Sequence, residues 1–153
     1  MHHTLYVLTV FVHILCATLW VGGMLFMSLM LVPALRAQRD PSLTARLIRA
    51  VGKRYHRWGW GALGLLILTG LGLLHFRGIS HAQLASADFW ASPFGTTLAW
   101  KLSLVLAVVL LSLAHDLGAA RNRKAATLLG RLTLLLSVII VFLGVLLVRG
   151  VPW

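Results

Sequence analysis

Residues 4–32 read TLYVLTVFVHILCATLWVGGMLFMSLMLV, and Pro33 is expected to end the run. No Asp, Glu, Lys or Arg interrupts them. The run exceeds the roughly 20 apolar residues that a helix needs to cross the hydrocarbon of a bilayer. Three more runs pass the same test: about 58–76, closed by Arg77-Gly78; about 97–114; and about 128–148, closed by Arg149-Gly150. Backbone groups in hydrocarbon must bond within their own segment, so these runs are expected as helices. The expected fold is all-α: an integral membrane four-helix bundle forming a single transmembrane domain over 1–153, with both termini outside.

Composition supports a lipid solvent. Apolar residues make up 59% of the chain and charged ones 11%, against about 25% charged in soluble domains. The net charge is +11, from 14 Lys and Arg against three Asp. In a soluble chain that balance suggests nucleic acid. Here the cations sit between apolar runs, so they are assigned to membrane orientation and no nucleic-acid partner is expected. The first run starts almost at Met1, lacks a basic leader and is too long for a signal-peptide core, so it reads as a retained span. The lone Cys16 excludes an intrachain disulfide.

The loops set the expected orientation. Arg36, Arg39, Arg46, Arg49, Lys53, Arg54 and Arg57 crowd the first loop, and Arg121, Arg123, Lys124 and Arg131 the third; the 77–100 loop holds only Arg77 and Asp88. The positive-inside rule places the first and third loops in the cytoplasm, leaving Met1, the 77–100 loop and Trp153 outside. Residues 42–57, SLTARLIRAVGKRYHR, read as a basic amphipathic helix preceding the second span. Ser42 is its expected N-cap, and Leu43, Leu47, Ile48 and Val51 form its stripe. It either lies on anionic lipid or extends the second span into the cytoplasm. Trp90 is expected as an interface anchor in the outer loop.

Chemistry concentrates in the first span. At about 100° per residue from His13, Cys16 falls at about −60°, Trp20 at about −20°, Met24 at about +20° and Met27 at about −40°. Imidazole, thiol and two thioethers share a face, and such soft ligands suit Cu(I). A ladder of them would let an ion step along without rehydrating. An ionisable group in a span is a functional signal, although Met and Cys are also ordinary core fillers. An imidazole satisfied only by a neighbouring hydroxyl, with no room for a ligand, would leave the topology alone. Met1-His2-His3 can wrap Cu(II) or Ni(II) through a free amine, amides and His3, with His2 beside them.

The other histidines separate by depth: His75 and His81 at the outer end, His56 and His115 at the inner end, with Asp116 beside His115 but pointing about 100° away. Facing histidines in a membrane bundle also hold b-type haem. Lys101 lies about one turn inside the third span. It either snorkels to the headgroups or meets an anion such as a haem propionate. On the fourth span, Thr133, Ser137 and Gly144 share a face suited to close helix packing. No nucleophile–base pair, carboxylate dyad or phosphate loop is present, and an enzyme is not the favoured reading.

Three stretches carry a resemblance. They are His13 with Leu19-Trp20-Val21-Gly22-Gly23 and Val32-Pro33-Ala34-Leu35-Arg36; the arginine- and aromatic-rich 54–60 stretch with Thr69-Gly70; and Phe94-Gly95-Thr96-Thr97-Leu98-Ala99-Trp100-Lys101-Leu102. Over about residues 5–120 the chain resembles the copper-resistance protein D (CopD) family and, more weakly, the HemJ-type protoporphyrinogen oxidases. The resemblance implies copper handling across a bacterial inner membrane, or in the HemJ-like branch a haem b and an oxidase activity. His13 and Lys101 match positions prominent in both patterns, and His115 resembles the histidine after the lysine span in HemJ-like proteins. Val21-Gly22-Gly23 departs from the HemJ-like Phe-Ala/Ser-Gly, and the Met24/Met27 pair fits copper better.

The expected function is therefore a copper-handling membrane protein, with copper held by His13, Cys16, Met24 and Met27 and captured by His2 and His3. The alternative is a haem b redox protein using His13, His75, His56 or His115, with Lys101 on a propionate. Expected partners are the bilayer, with anionic lipid at 36–57, and a second copy or a periplasmic copper-binding protein.

Overall fold

The computed structural model describes residues 2–38, 40–118 and 123–150. Met1, Arg39, Arg121 and Trp153 lie outside the described residues. Among the described residues every regular element is helical. Four helices of the described residues are long and apolar enough to cross a membrane: His2–Ala37, Pro41–Phe76, Pro93–Asp116 and Ala125–Arg149. The chain divides into two units, Met1–Ile79 and Ser80–Trp153.

In the first unit α1 (His2–Phe26) runs through a π-helical turn, Met27–Leu31, into α2 (Val32–Ala37). The helix therefore continues past Pro33, where the sequence suggested an end. Proline lacks an N–H and its ring crowds the carbonyl four residues back. A widened turn relieves this, and Val32 N–H donates to the Met27 carbonyl across it.

Helix α3 (Pro41–Phe76) returns antiparallel to α1. Contacts in order from the His2 end of α1 are Tyr6 with Phe76, Thr9 with Gly72, His13 with Thr69, Trp20 with Gly59, and Gly23 with Tyr55. Its cap is Asp40 rather than Ser42: the carboxylate accepts from the Ser42 and Leu43 amides, with Pro41 in the first turn where a missing N–H costs nothing. These bonds hold the Asp40 carboxyl below its ordinary pKa, the Leu43 amide contributing most.

The 42–57 stretch is continuous with the second span, not a separate helix lying flat. Leu43, Leu47, Ile48 and Val51 are half-buried, whereas Arg46, Arg49, Lys53, Arg54 and Arg57 are exposed. Helix α2 packs on this extension: Leu35 is buried, and Thr44 Oγ1–H donates to the Leu35 carbonyl at 2.9 Å.

The second unit opens with two short helices, α4 (His81–Leu84) and α5 (Ala87–Ala91), capped by Ser80 and Ser86. Trp90 folds back here, its indole N–H donating to the Leu84 carbonyl at 2.8 Å and its ring edge-on to Phe89. Helices α6 (Pro93–Gly118) and α7 (Arg123–Arg149) then pair. Their seam buries Leu98 and Val108 of α6 with Thr133 and Ser137 of α7. Ser137 Oγ–H donates to the Thr133 carbonyl at 2.7 Å, so the hydroxyl is satisfied within its own helix. Large apolar side chains stay outside in both units: Phe11, Ile14 and Phe142 are 60% exposed and Val148 70%. Such apolar surface requires lipid or a protein partner.

Candidate functional site

The strongest local constellation lies midway along the first hairpin. His13 Nδ1 is 2.7 Å from Thr69 Oγ1. Thr69 Oγ1 is also 2.6 Å from the Leu65 carbonyl oxygen. A carbonyl only accepts, so the single hydroxyl proton of Thr69 goes to Leu65. Thr69 Oγ1 then accepts from His13 Nδ1–H. In the neutral ring this fixes the tautomer and makes Nε2 the atom that carries the lone pair. Gly70 lies against the ring edge: a Cβ there would sit 3.6 Å from His13 Cε1. Sequence reasoning noted Thr69 only as part of a motif. A hydroxyl inside an otherwise apolar run, beside glycine, was the available signal.

A neighbouring hydroxyl is thus present, and it engages Nδ1. Cys16 is buried on the same helix face, one turn from His13. Met24 and Met27 are half-buried, and Met30 is 64% exposed. The ladder is interrupted at Trp20. Its buried indole fills that turn against Gly59, where a Cβ would come within 3.1 Å of the ring. Cys16 and Met24 are separated by a rise of about 12 Å. The soft ligands therefore form two pairs, His13 with Cys16 and Met24 with Met27, rather than one continuous track.

The remaining histidines of this hairpin stand at other levels. His75 lies about 9 Å from Thr69 toward the C-terminal end of α3, and His56 about 20 Å from it toward the N-terminal end. His75 is edge-on to Phe76, and His56 is edge-on to Trp60. His13, His75 and His56 do not form a facing pair for a haem iron within the hairpin. His2 and His3 are exposed in the first turn of α1. Among the described residues no group of three or more His, Cys, Asp or Glu is clustered to hold a metal ion.

In the second unit Lys101 is half-buried and points at α7, its Nζ 3.5 Å from the position a Cβ on Gly144 would take. His81 is exposed at the start of α4. His115 Nδ1 lies 3.8 Å from Asp116 Oδ1, closer than adjacent helix positions suggest.

Two glycines of the resemblance motifs have packing roles. A Cβ on Gly23 would fall 2.3 Å from Tyr55 Cε2. The Tyr55 ring fills that notch and its hydroxyl donates to the Trp20 carbonyl. A Cβ on Gly95 would fall 1.9 Å from the Phe89 carbonyl oxygen.

No protein-family model matches the chain, and no solved structure matches it. An uncharacterized protein of Aquifex aeolicus (strain VF5) is 35% identical over 145 residues, spanning 90% of this chain and 92% of the relative.

Proposed function

The chain belongs to one family with the Aquifex aeolicus protein, and we propose that it is a membrane copper-handling protein that binds Cu(I) as cargo through imidazole and sulfur. The observation that carries the reading is the His13–Thr69 bond. A hydroxyl that accepts from Nδ1–H orients the ring and puts its lone pair on Nε2, the nitrogen that would ligate, in the manner of the outer partners of histidine metal ligands. Cys16 stands one turn away as the second soft donor, and Met24 with Met27 forms the next station inward.

In this reading the four helices cross an inner membrane with both termini outside, set by the cations of the 36–57 and 121–131 loops. Copper is taken up at the outer end near His2, His3 and His75. A periplasmic copper carrier or a second copy of the chain supplies partner surface for the apolar outer faces. Lys101, beside Gly144, neutralises an anion within the span.

A second reading is favoured by the same bond. An interhelical hydrogen bond at 2.7 Å is itself a means of holding two membrane helices together. One experiment separates the readings and tests the haem alternative. The purified protein is analysed for copper, and its visible spectrum is recorded oxidised and reduced. The copper reading expects bound Cu(I) without a Soret band, lost in His13→Ala. A reducible haem spectrum without copper would replace it with the haem reading. Copper content unchanged by His13→Ala would leave His13 as a packing residue.

A further inference from the structure

We propose that Arg54, Arg57 and Trp58 form a binding site for the phosphate headgroup of an anionic lipid, at one level of the long helix α3. The three side chains line an open cleft on α3. Trp58 is 79% exposed, and both arginines are exposed. Asp40, the sole acid of residues 1–79, is engaged at the start of the helix by Ser42 and Leu43. Two guanidinium groups beside an exposed indole match a phosphate diester bearing acyl chains: fork-shaped donors for the oxygens, and an amphipathic ring for the headgroup boundary.

Depth separates these residues from the rest of the basic segment. Helix α3 has 36 residues, a length of about 54 Å. Measured inward from Phe76, about 30 Å of hydrocarbon uses about 20 residues and ends near Arg57. A tilt of about 20° adds only about one residue. Trp58 then sits at the hydrocarbon edge, and Arg54 about 5 Å beyond it, within the headgroup layer. Arg49 and Arg46 lie about 12 and 17 Å beyond that edge, past the headgroups. Because α3 is unbroken from Pro41 to Phe76, the upper cations are carried away from the bilayer. Anionic lipid is therefore held at one level, not along the whole 36–57 segment. This inference needs α3 to cross the membrane and is independent of copper.

The test uses the full chain in neutral detergent micelles, titrated with short-chain phosphatidylglycerol, short-chain phosphatidylcholine and inorganic phosphate. The wild type is expected to prefer phosphatidylglycerol over phosphatidylcholine. R54Q/R57Q is expected to weaken phosphatidylglycerol binding about thirtyfold, since each cation at headgroup depth contributes about fivefold. R46Q/R49Q is expected to change it less than about twofold, since Arg49 and Arg46 stand about 8 and 12 Å from Arg54 along α3, at and beyond a Debye length of about 8 Å. W58L, which keeps both charges, is expected to weaken the lipid while leaving inorganic phosphate unchanged. Equal losses in the two arginine pairs would overturn the site in favour of diffuse charge. Equal binding of both lipids, or displacement of phosphatidylglycerol by equimolar inorganic phosphate, would also overturn it.

Discussion

Thr69→Val removes one hydroxyl and almost nothing else. Valine keeps the β-branched shape of threonine but cannot accept from His13 Nδ1–H, which in the native hairpin meets Thr69 Oγ1 at 2.7 Å. Two costs follow, and they differ in size. Interhelical hydrogen bonds in membranes contribute about 0.6 kcal/mol on average and at most about 1.7, so hairpin stability should fall by about 1 kcal/mol or less. Outer partners of histidine ligands affect metal affinity by about 10–100-fold, or about 1.4–2.7 kcal/mol. If Thr69 acts by fixing the His13 tautomer, Cu(I) affinity should fall by at least about tenfold while the hairpin stays folded. Competition against a chromogenic Cu(I) chelator under reducing conditions gives the affinity. Histidine-selective 15N spectra give the tautomer without any metal: the protonated and lone-pair nitrogens of His13 should mix in Thr69→Val and separate again in Thr69→Ser. A Thr69→Val protein that binds Cu(I) within about twofold of wild type, with the His13 nitrogens unchanged, would refute the positioning role.

Further outcomes follow from the same geometry. Gly23→Ala drives a methyl group to within 2.3 Å of the Tyr55 ring and should destabilise the first hairpin by about 1–3 kcal/mol in a detergent unfolding titration; Gly23→Ala/Tyr55→Ala should cost less than the sum of the single changes. Gly95→Ala meets backbone rather than a side chain, at 1.9 Å, so amide exchange should accelerate across residues 86–96. Met27→Leu should weaken Cu(I) binding and leave any haem spectrum as it was; unchanged Cu(I) affinity would remove the thioether from the inner station. Asp40 has a folded pKa below its unfolded one, so its contribution is present above the ordinary carboxylate range and lost as pH falls through the depressed value. Protection of the Ser42 and Leu43 amides should drop below about pH 4, whereas Asp40→Asn, also a good cap, should show no such step.

Features that lie along a single helix were legible in the sequence. Uninterrupted apolar runs located all four long helices. The stripe of Leu43, Leu47, Ile48 and Val51 opposite the arginines anticipated which side of the α3 extension is covered. The face shared by Thr133, Ser137 and Gly144 anticipated the α6–α7 seam, where Thr133 and Ser137 are buried. Features that depend on which residue of another segment stands opposite were not legible. Periodicity orients His13 on α1 but cannot say that Thr69 faces it. It cannot show that Gly23 is small because Tyr55 fills the space, or that Gly95 lies under the Phe89 carbonyl. Pro33 read as a stop because a proline removes one helical bond, yet a π-turn absorbs the same defect without ending the helix. The sulfur ladder was continuous on a helical wheel because a wheel discards rise; the structure restores it and places the bulk of Trp20 between the two pairs.

The central claim is that His13 and sulfur hold copper, and X-ray absorption at the copper edge tests it most directly. The full chain loaded with one equivalent of Cu(I) should show a mixed shell of imidazole nitrogen and sulfur, and His13→Ala carried through the same loading should retain no such copper signal. A shell of nitrogen and oxygen alone, or a spectrum indifferent to His13→Ala, would contradict the account.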